Sequence, residues 1–137
     1  MLFLMRRIGG DGVFEILKDK TICLTRGDVA NINVTANLQD GQTYTFTPGD
    51  VIRFKVFKKR DCNSVELLKD VLVEAAAETV TVSLTKEDTK IGEIINKPVD
   101  YWYEVEMNPD TEPQTIIGYD EQGEKIFRLY PEGSDSM

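Results

Sequence analysis

The sequence predicts an all-β fold, a sandwich or a barrel of about eight short strands. Several stretches alternate apolar with polar residues, which is the period of a strand with one buried face. Turn-forming groups of Gly, Pro, Asn and Asp separate these stretches at intervals of about 8–12 residues. No stretch carries the apolar period of a long helix, so the strands are expected to pack against one another.

Residues 1–20 are predicted to form an N-terminal arm or a hairpin. The turn Gly9–Gly12 precedes a short amphipathic stretch, in which Phe14 is a candidate for contact with a neighbouring subunit. The apolar opening of the chain is interrupted by Arg6 and Arg7, so we expect neither a signal peptide nor a membrane-spanning segment.

Residues 21–130 are predicted to form the β-sandwich domain, and residues 131–137 a flexible tail. In the stretch Asn31–Leu38, every second residue is apolar and is expected to face the core. Thr115–Tyr119 and Lys125–Tyr130 are expected to form a hairpin around Asp120–Gly123. The remaining predicted strands are Thr21–Thr25, Val51–Phe57, Thr79–Leu84 and Tyr101–Met107, and Thr43–Thr47 consists of β-favouring residues.

Two segments allow a helix. Val65–Ala77 suits either a helix or a strand, and its β-branched residues favour a strand that ends near Val73. Thr85 precedes acidic residues with the spacing of a helix N-cap, so a single helical turn as far as Ile91 is expected.

Composition argues against most enzyme chemistry. The 137 residues suit one domain and include no histidine, which removes the usual base of a nucleophilic hydrolase. Glu104 and Glu106 share one strand face, where a solvated surface is a simpler interpretation than an acid–base pair. We therefore predict no catalytic residue and no enzymatic activity.

The same composition predicts neither a metal nor a cofactor. Cys23 and Cys62 follow no paired pattern and are expected to be reduced, and the acidic turns do not follow a calcium-loop pattern. The net charge of −8 repels phosphate backbones and anionic lipid, so nucleic acid and membranes are not expected partners.

Two surface features have competing interpretations. Arg26-Gly27-Asp28 spells an integrin-type tripeptide, although a turn between two strands explains it as well. Trp102 alternates with Tyr101 and Tyr103, so it should leave the opposite strand face, beside Glu104. Another part of the chain could cover Trp102, or Trp102 and Glu104 could belong to a protein interface, because aromatic side chains anchor such contacts.

Three stretches together resemble a known family. They are Thr21–Asp28, Pro48–Val56, and Leu84–Thr89 followed by Tyr101–Glu106. They resemble the N-terminal domain of phage upper baseplate proteins and related prophage tail structural proteins of Gram-positive bacteria. In that pattern a Gly-Asp pair opens a strand and an Asp-Thr pair ends a short turn. The chain departs from it at Asn96–Asp100, where the family has a Gly-x-Tyr lead into the aromatic strand.

The resemblance implies an immunoglobulin-like antiparallel β-sandwich with a non-catalytic, structural role. Its partners would be other tail or baseplate proteins, or further copies of itself, in a virion component made in the bacterial cytoplasm. The alternative is a small carbohydrate-binding or adhesion module that uses Trp102 and nearby tyrosines as a sugar platform.

Overall fold

The computed structural model describes residues 5–6, 15–16, 19–38, 40–58, 64–92, 95–118 and 123–132. These residues contain ten strands and no helix, so the all-β prediction is confirmed. The strands are β1 (Met5–Arg6), β2 (Glu15–Ile16), β3 (Ile22–Thr25), β4 (Ala30–Val34), β5 (Val51–Phe57), β6 (Val65–Leu72), β7 (Val80–Leu84), β8 (Val99–Met107), β9 (Gln114–Ile117) and β10 (Lys125–Tyr130). Within the described part of the chain, no helix is long and apolar enough to cross a membrane.

The strands form two sheets. The larger has the order β1-β2-β3-β10-β8-β5-β6, with β9 also paired to β8, and the smaller contains β4 and β7. One hydrophobic core with side chains from both sheets lies between them, a sandwich-like arrangement. All paired strands are antiparallel except β3 and β10, which are parallel. The expectation of a wholly antiparallel fold is wrong at this pair, because the long intervening chain serves as the crossover that parallel neighbours require.

The predicted alternation is visible in the two central strands. Burial alternates residue by residue along Tyr101–Met107 in β8, and β5 shows the same pattern as far as Val56. The Phe54 and Tyr103 rings lie 5.5 Å apart between centroids, and Phe54 also packs against Phe127. Phe54 and Tyr103 are both buried, so their predicted place in the core is confirmed.

The predicted strand Asn31–Leu38 is shorter than its alternation suggests. Strand β4 ends at Val34, and an isolated bridge between Asn37 and Thr43 follows. The Leu38 backbone N–H donates to the Gln42 carbonyl at 2.7 Å, which closes a turn. Leu38 is therefore exposed at this turn, and its predicted core position is wrong.

Strand β3 is buried on both faces. Cys23 lies on the face opposite Ile22 and Leu24, and its thiol is buried, with Arg128 of β10 paired directly beside it. Cys62 lies outside the described residues, so the expectation that both cysteines are reduced remains a prediction.

The predicted C-terminal hairpin is wrong. Strand β9 pairs with the Val105–Met107 end of β8, and β10 pairs with the Val99–Tyr103 end. Both are antiparallel to β8, so they run in the same direction and do not pair with each other. Most of the predicted turn, residues 119–122, lies outside the described residues.

The two ambiguous segments are resolved differently. Val65–Leu72 is a strand, as favoured. At Thr85 the predicted cap forms: its hydroxyl accepts from the Asp88 N–H at 3.1 Å, and the Asp88 carboxylate accepts from the Thr85 N–H at 2.9 Å. A single turn of helical type follows the cap, because the Thr89 N–H donates to the Thr85 carbonyl at 3.2 Å. The turn ends at Thr89, before the predicted limit of Ile91, and no helix extends from it.

Candidate functional site

A wide groove opens between the two sheets. Its volume is about 1180 Å³, and it lies between the end of the small sheet and strand β9 of the large one. Strand β4 pairs only with β7, and β9 only with β8, among the described strands. Amide and hydroxyl side chains line much of the groove, in particular those of Asn33, Asn37, Thr43, Tyr44, Gln114 and Thr115.

Asp50 is a hydrogen-bonding centre at the border of this groove. Its carboxylate accepts from the Tyr44 hydroxyl at 3.0 Å, the Thr47 N–H at 2.9 Å and the Asn108 amide at 3.1 Å. The Asn108 oxygen in turn accepts from the Val51 N–H at 2.9 Å. Burial opposes the ionised form, but these hydrogen bonds outweigh it and lower the pKa of Asp50. The cluster fixes the start of β5 and the end of β8.

The Arg26-Gly27-Asp28 tripeptide is used inside the fold. Arg26 is buried, and its guanidinium donates to the Ile91 carbonyl at 3.1 Å, the Gly92 carbonyl at 2.8 Å and the Glu132 carboxylate at 2.6 Å. An integrin-type ligand needs this arginine to be accessible. The turn interpretation is therefore supported over the adhesive one.

The Gly-Asp and Asp-Thr motifs quoted for the resemblance meet in space. The Thr89 hydroxyl accepts from the Gly27 N–H at 3.0 Å and donates to the Asp28 carbonyl at 2.8 Å. Thr89 is fully buried, so this junction is internal. It joins the loop before β4 to the turn after β7, and its role is structural.

Trp102 leaves the outer face of β8, as predicted from its alternation. Phe57 of β5 and Ile126 of β10 are paired directly beside it and share that face. Trp102 is half-buried, and its indole nitrogen is enclosed without a hydrogen-bond partner among the described residues. The enclosure supports the view that the chain itself covers part of Trp102. Whether the remaining exposed part forms an interface stays a prediction.

The other two predicted interface residues have different positions. Glu104 lies on the same face of β8 and pairs with Lys55, whose ammonium is 3.4 Å from Glu104 and 3.1 Å from Glu106. Burial disfavours the ammonium, but the two carboxylates outweigh it and raise the pKa of Lys55. Phe14 lies outside the described residues, so its role is also still a prediction.

The sugar platform of the alternative interpretation does not form from Trp102 and its neighbours Tyr101 and Tyr103. Tyr101 and Tyr103 are buried on the face opposite Trp102. The Tyr103 hydroxyl donates to the Lys20 carbonyl at 2.5 Å, and burial raises the pKa of Tyr103. The three rings therefore cannot stack on one ligand.

The open edge of β6, which we call the β6 edge (Val65–Leu72), forms a surface that was not predicted from the sequence. Strand β6 ends the large sheet and pairs only with β5 among the described strands. Val65, Leu68 and Leu72 are all exposed there. Leu68, Asp70 and Leu72 occupy every second position, which is the spacing of residues on one face of a strand. The helix-compatible composition of the segment obscured this signal.

The described residues contain no cluster of three or more potential metal ligands. Comparison with known proteins finds no matching family model, no matching curated protein and no matching solved structure.

Proposed function

We propose that this protein is a non-catalytic structural component of a phage or prophage tail or baseplate, built on an immunoglobulin-like β-sandwich. It assembles with copies of itself or with other tail proteins, is made in the bacterial cytoplasm and ends in the virion. The observation that carries the proposal is the β6 edge. The likeness of the Gly-Asp and Asp-Thr motifs to baseplate proteins supports the tail assignment.

The β6 edge supports assembly because it combines open backbone groups with apolar side chains. Of the six exposed large hydrophobic residues in the described part of the chain, three belong to β6. Single exposed apolar residues are ordinary, whereas a group of them along the open edge of a strand is a template for pairing with another chain. Trp102, Glu104 and Phe14 are proposed as a second, smaller contact.

The test is whether the protein is part of a particle. Tail particles would be purified by density gradient from a host that carries the gene with an affinity tag, and the chain would be quantified by mass spectrometry and immunogold labelling. We expect a fixed number of copies per particle and labelling at one position on the tail. A chain that stays at the top of the gradient would refute the tail assignment.

A carbohydrate-binding or adhesion module is the second candidate, and the groove favours it. Amide and hydroxyl side chains around one half-buried tyrosine, Tyr44, offer the donors and acceptors that sugars require. Calorimetric titration with soluble cell-wall glycan fragments would test it. The variant Gln114→Ala should abolish binding, while Gln42→Ala, at an exposed position outside the groove lining, should not. Absence of binding to wild-type protein would eliminate this candidate.

A further inference from the structure

We propose that the β6 edge pairs with the β6 edge of a second copy in an antiparallel register centred on Asp70, so that the two large sheets become one. The inference rests on the proposed assembly function and names the partner of that surface.

The direction of the backbone groups follows from two hydrogen bonds that flank β5. The Val73 N–H donates to the Asp50 carbonyl at 2.8 Å, on the β6 side. The Asn108 N–H donates to the Val51 carbonyl at 2.7 Å, on the β8 side. Successive residues of a strand direct their N–H and C=O groups to opposite sides. The backbone groups of Ile52 therefore point toward β6, as do those of the residues two and four positions further along β5.

The open side of β6 is then determined by register. Leu67, Lys69 and Val71 lie opposite the β5 residues that bond toward β6, so their backbone groups are used within the sheet. Leu68 and Leu72 alternate with them, together with Asp70. The N–H and C=O groups of these three residues therefore point away from β5 and toward a partner.

A symmetric register can be centred on any residue from Leu68 to Leu72, and the side chains that meet distinguish the five. A centre at Leu68 or Leu72 places Asp70 opposite Glu66 or Glu74 of the second copy, so that two carboxylates meet. A centre at Lys69 or Val71 places each exposed leucine opposite a carboxylate. Only the centre at Asp70 places Leu68 opposite Leu72 of the second copy, twice by symmetry, so that exposed apolar side chains cover one another.

The carboxylates that meet at this centre are already compensated. Arg53 donates to the two oxygens of Asp70 at 2.8 and 2.9 Å. Glu66 has no such cation among the described residues, which further disfavours the centre at Leu68. Three hydrogen-bonded residue pairs then give about six backbone hydrogen bonds across the two-fold axis.

The first experiment removes an open donor without disturbing the fold. Leu72→Pro deletes an N–H group on the open side, a place where proline is tolerated in an edge strand. Sedimentation of wild-type protein should show a dimer, and Leu72→Pro should raise its dissociation constant at least tenfold with an unchanged circular dichroism spectrum. Val71→Pro is the parity control, since it deletes a donor to β5 and should lower the melting temperature instead.

A side-chain variant tests the apolar match. Leu68→Lys should raise the dissociation constant at least tenfold, whereas Val29→Lys, at a similarly exposed apolar residue away from β6, should leave it unchanged. Equal dissociation constants for wild type, Leu72→Pro and Leu68→Lys would overturn the inference, whether or not the protein is found in tail particles.

Single cysteines test the register. In a Cys62→Ser background, Asp70→Cys should form a disulfide with itself under mild oxidation, because hydrogen-bonded pairs have Cα atoms about 5.5 Å apart. Leu68→Cys should not, and the background protein is the control for Cys23. Preferential cross-linking of Leu68→Cys would overturn the register. A monomeric wild type would overturn the dimer but leave the tail assignment intact. A dimer that responds to these variants as expected but is absent from tail particles would support the dimer and refute the tail assignment.

Discussion

Two turns of this protein share the dipeptide Gly-Asp and use it differently. Gly27 and Gly49 both adopt the left-handed backbone conformation, with φ of +90° and +101°, and each turn leads toward a strand. The Asp50 carboxylate accepts several hydrogen bonds, whereas the Asp28 carboxylate accepts none within the described residues. At the first turn Thr89 and Arg26 supply the contacts instead. The shared dipeptide thus specifies a bend, and the segments packed against it decide which side chain stabilises it.

The largest expected effect is at the first turn, through Arg26. Arg26→Ala should lower the free energy of unfolding by about 3–5 kcal/mol, the usual result of removing one partner from a buried ion pair. Glu132 and the carbonyls of the Ile91 turn would lose their donor. Urea denaturation would measure the change.

Arg128 provides the control for this prediction. It forms an equally short ion pair with Asp100, at 2.7 Å, but its side chain is 35% exposed. Arg128→Ala should therefore cost at most about 1 kcal/mol. A similar loss of unfolding free energy for the two arginine variants would show that burial does not strengthen the ion pair of Arg26.

Asp50 carries the next largest effect. Asp50→Ala should cost about 2–3 kcal/mol, because Tyr44, Thr47 and Asn108 lose a charged acceptor in a buried place. Chemical denaturation at neutral pH would measure it. An unchanged denaturation midpoint would mean that water replaces the carboxylate without loss of stability.

The effect at Asp50 should also depend on pH. The pKa of Asp50 is lowered in the folded protein, so its ionised form adds stability above the unfolded pKa, near 3.9, and this stability is lost as the pH falls through the lower folded value. The difference in unfolding free energy between wild type and Asp50→Asn should shrink as pH is lowered from 7 toward 3. The pKa of Asp70 and that of Asp88 are lowered as well, and their contributions cancel in this comparison. A constant difference would exclude ionisation of Asp50 as its cause.

Thr89→Val should have a smaller effect, about 1–2 kcal/mol, since it keeps the shape of the side chain but leaves the half-buried Gly27 N–H without its acceptor. Thermal denaturation, compared with that of the exposed control Thr81→Val, would measure it. If the two variants have the same melting temperature, the hydrogen bonds of Thr89 do not stabilise the first turn.

Asp28→Ala should have the smallest effect, within about 0.5 kcal/mol, as for ordinary surface substitutions. Its half-buried carboxylate accepts no hydrogen bond from the described residues, and its backbone contacts remain. A loss comparable to that of Asp50→Ala would remove the distinction between the two turns.

Much of the fold could be predicted from local pattern, because one buried face imposes a period of two. The residues Tyr101–Met107 and the core positions Phe54 and Tyr103 were found in this way. The outer position of Trp102 followed from the same alternation. The candidate groove and the β6 edge were not found, because each depends on which strands remain without a neighbour.

The sequence by itself determined the all-β class, most strand positions and the Gly-Asp turns, since these depend on side-chain alternation and backbone freedom within a few residues. Tertiary structure decided that β3 and β10 are parallel and that β9 and β10 share one edge of β8. It also decided that Arg26 is buried and that Asp50, not Asp28, accepts hydrogen bonds. These outcomes depend on contacts between residues far apart in the chain, such as Arg26 with Glu132, for which local spacing carries no signal.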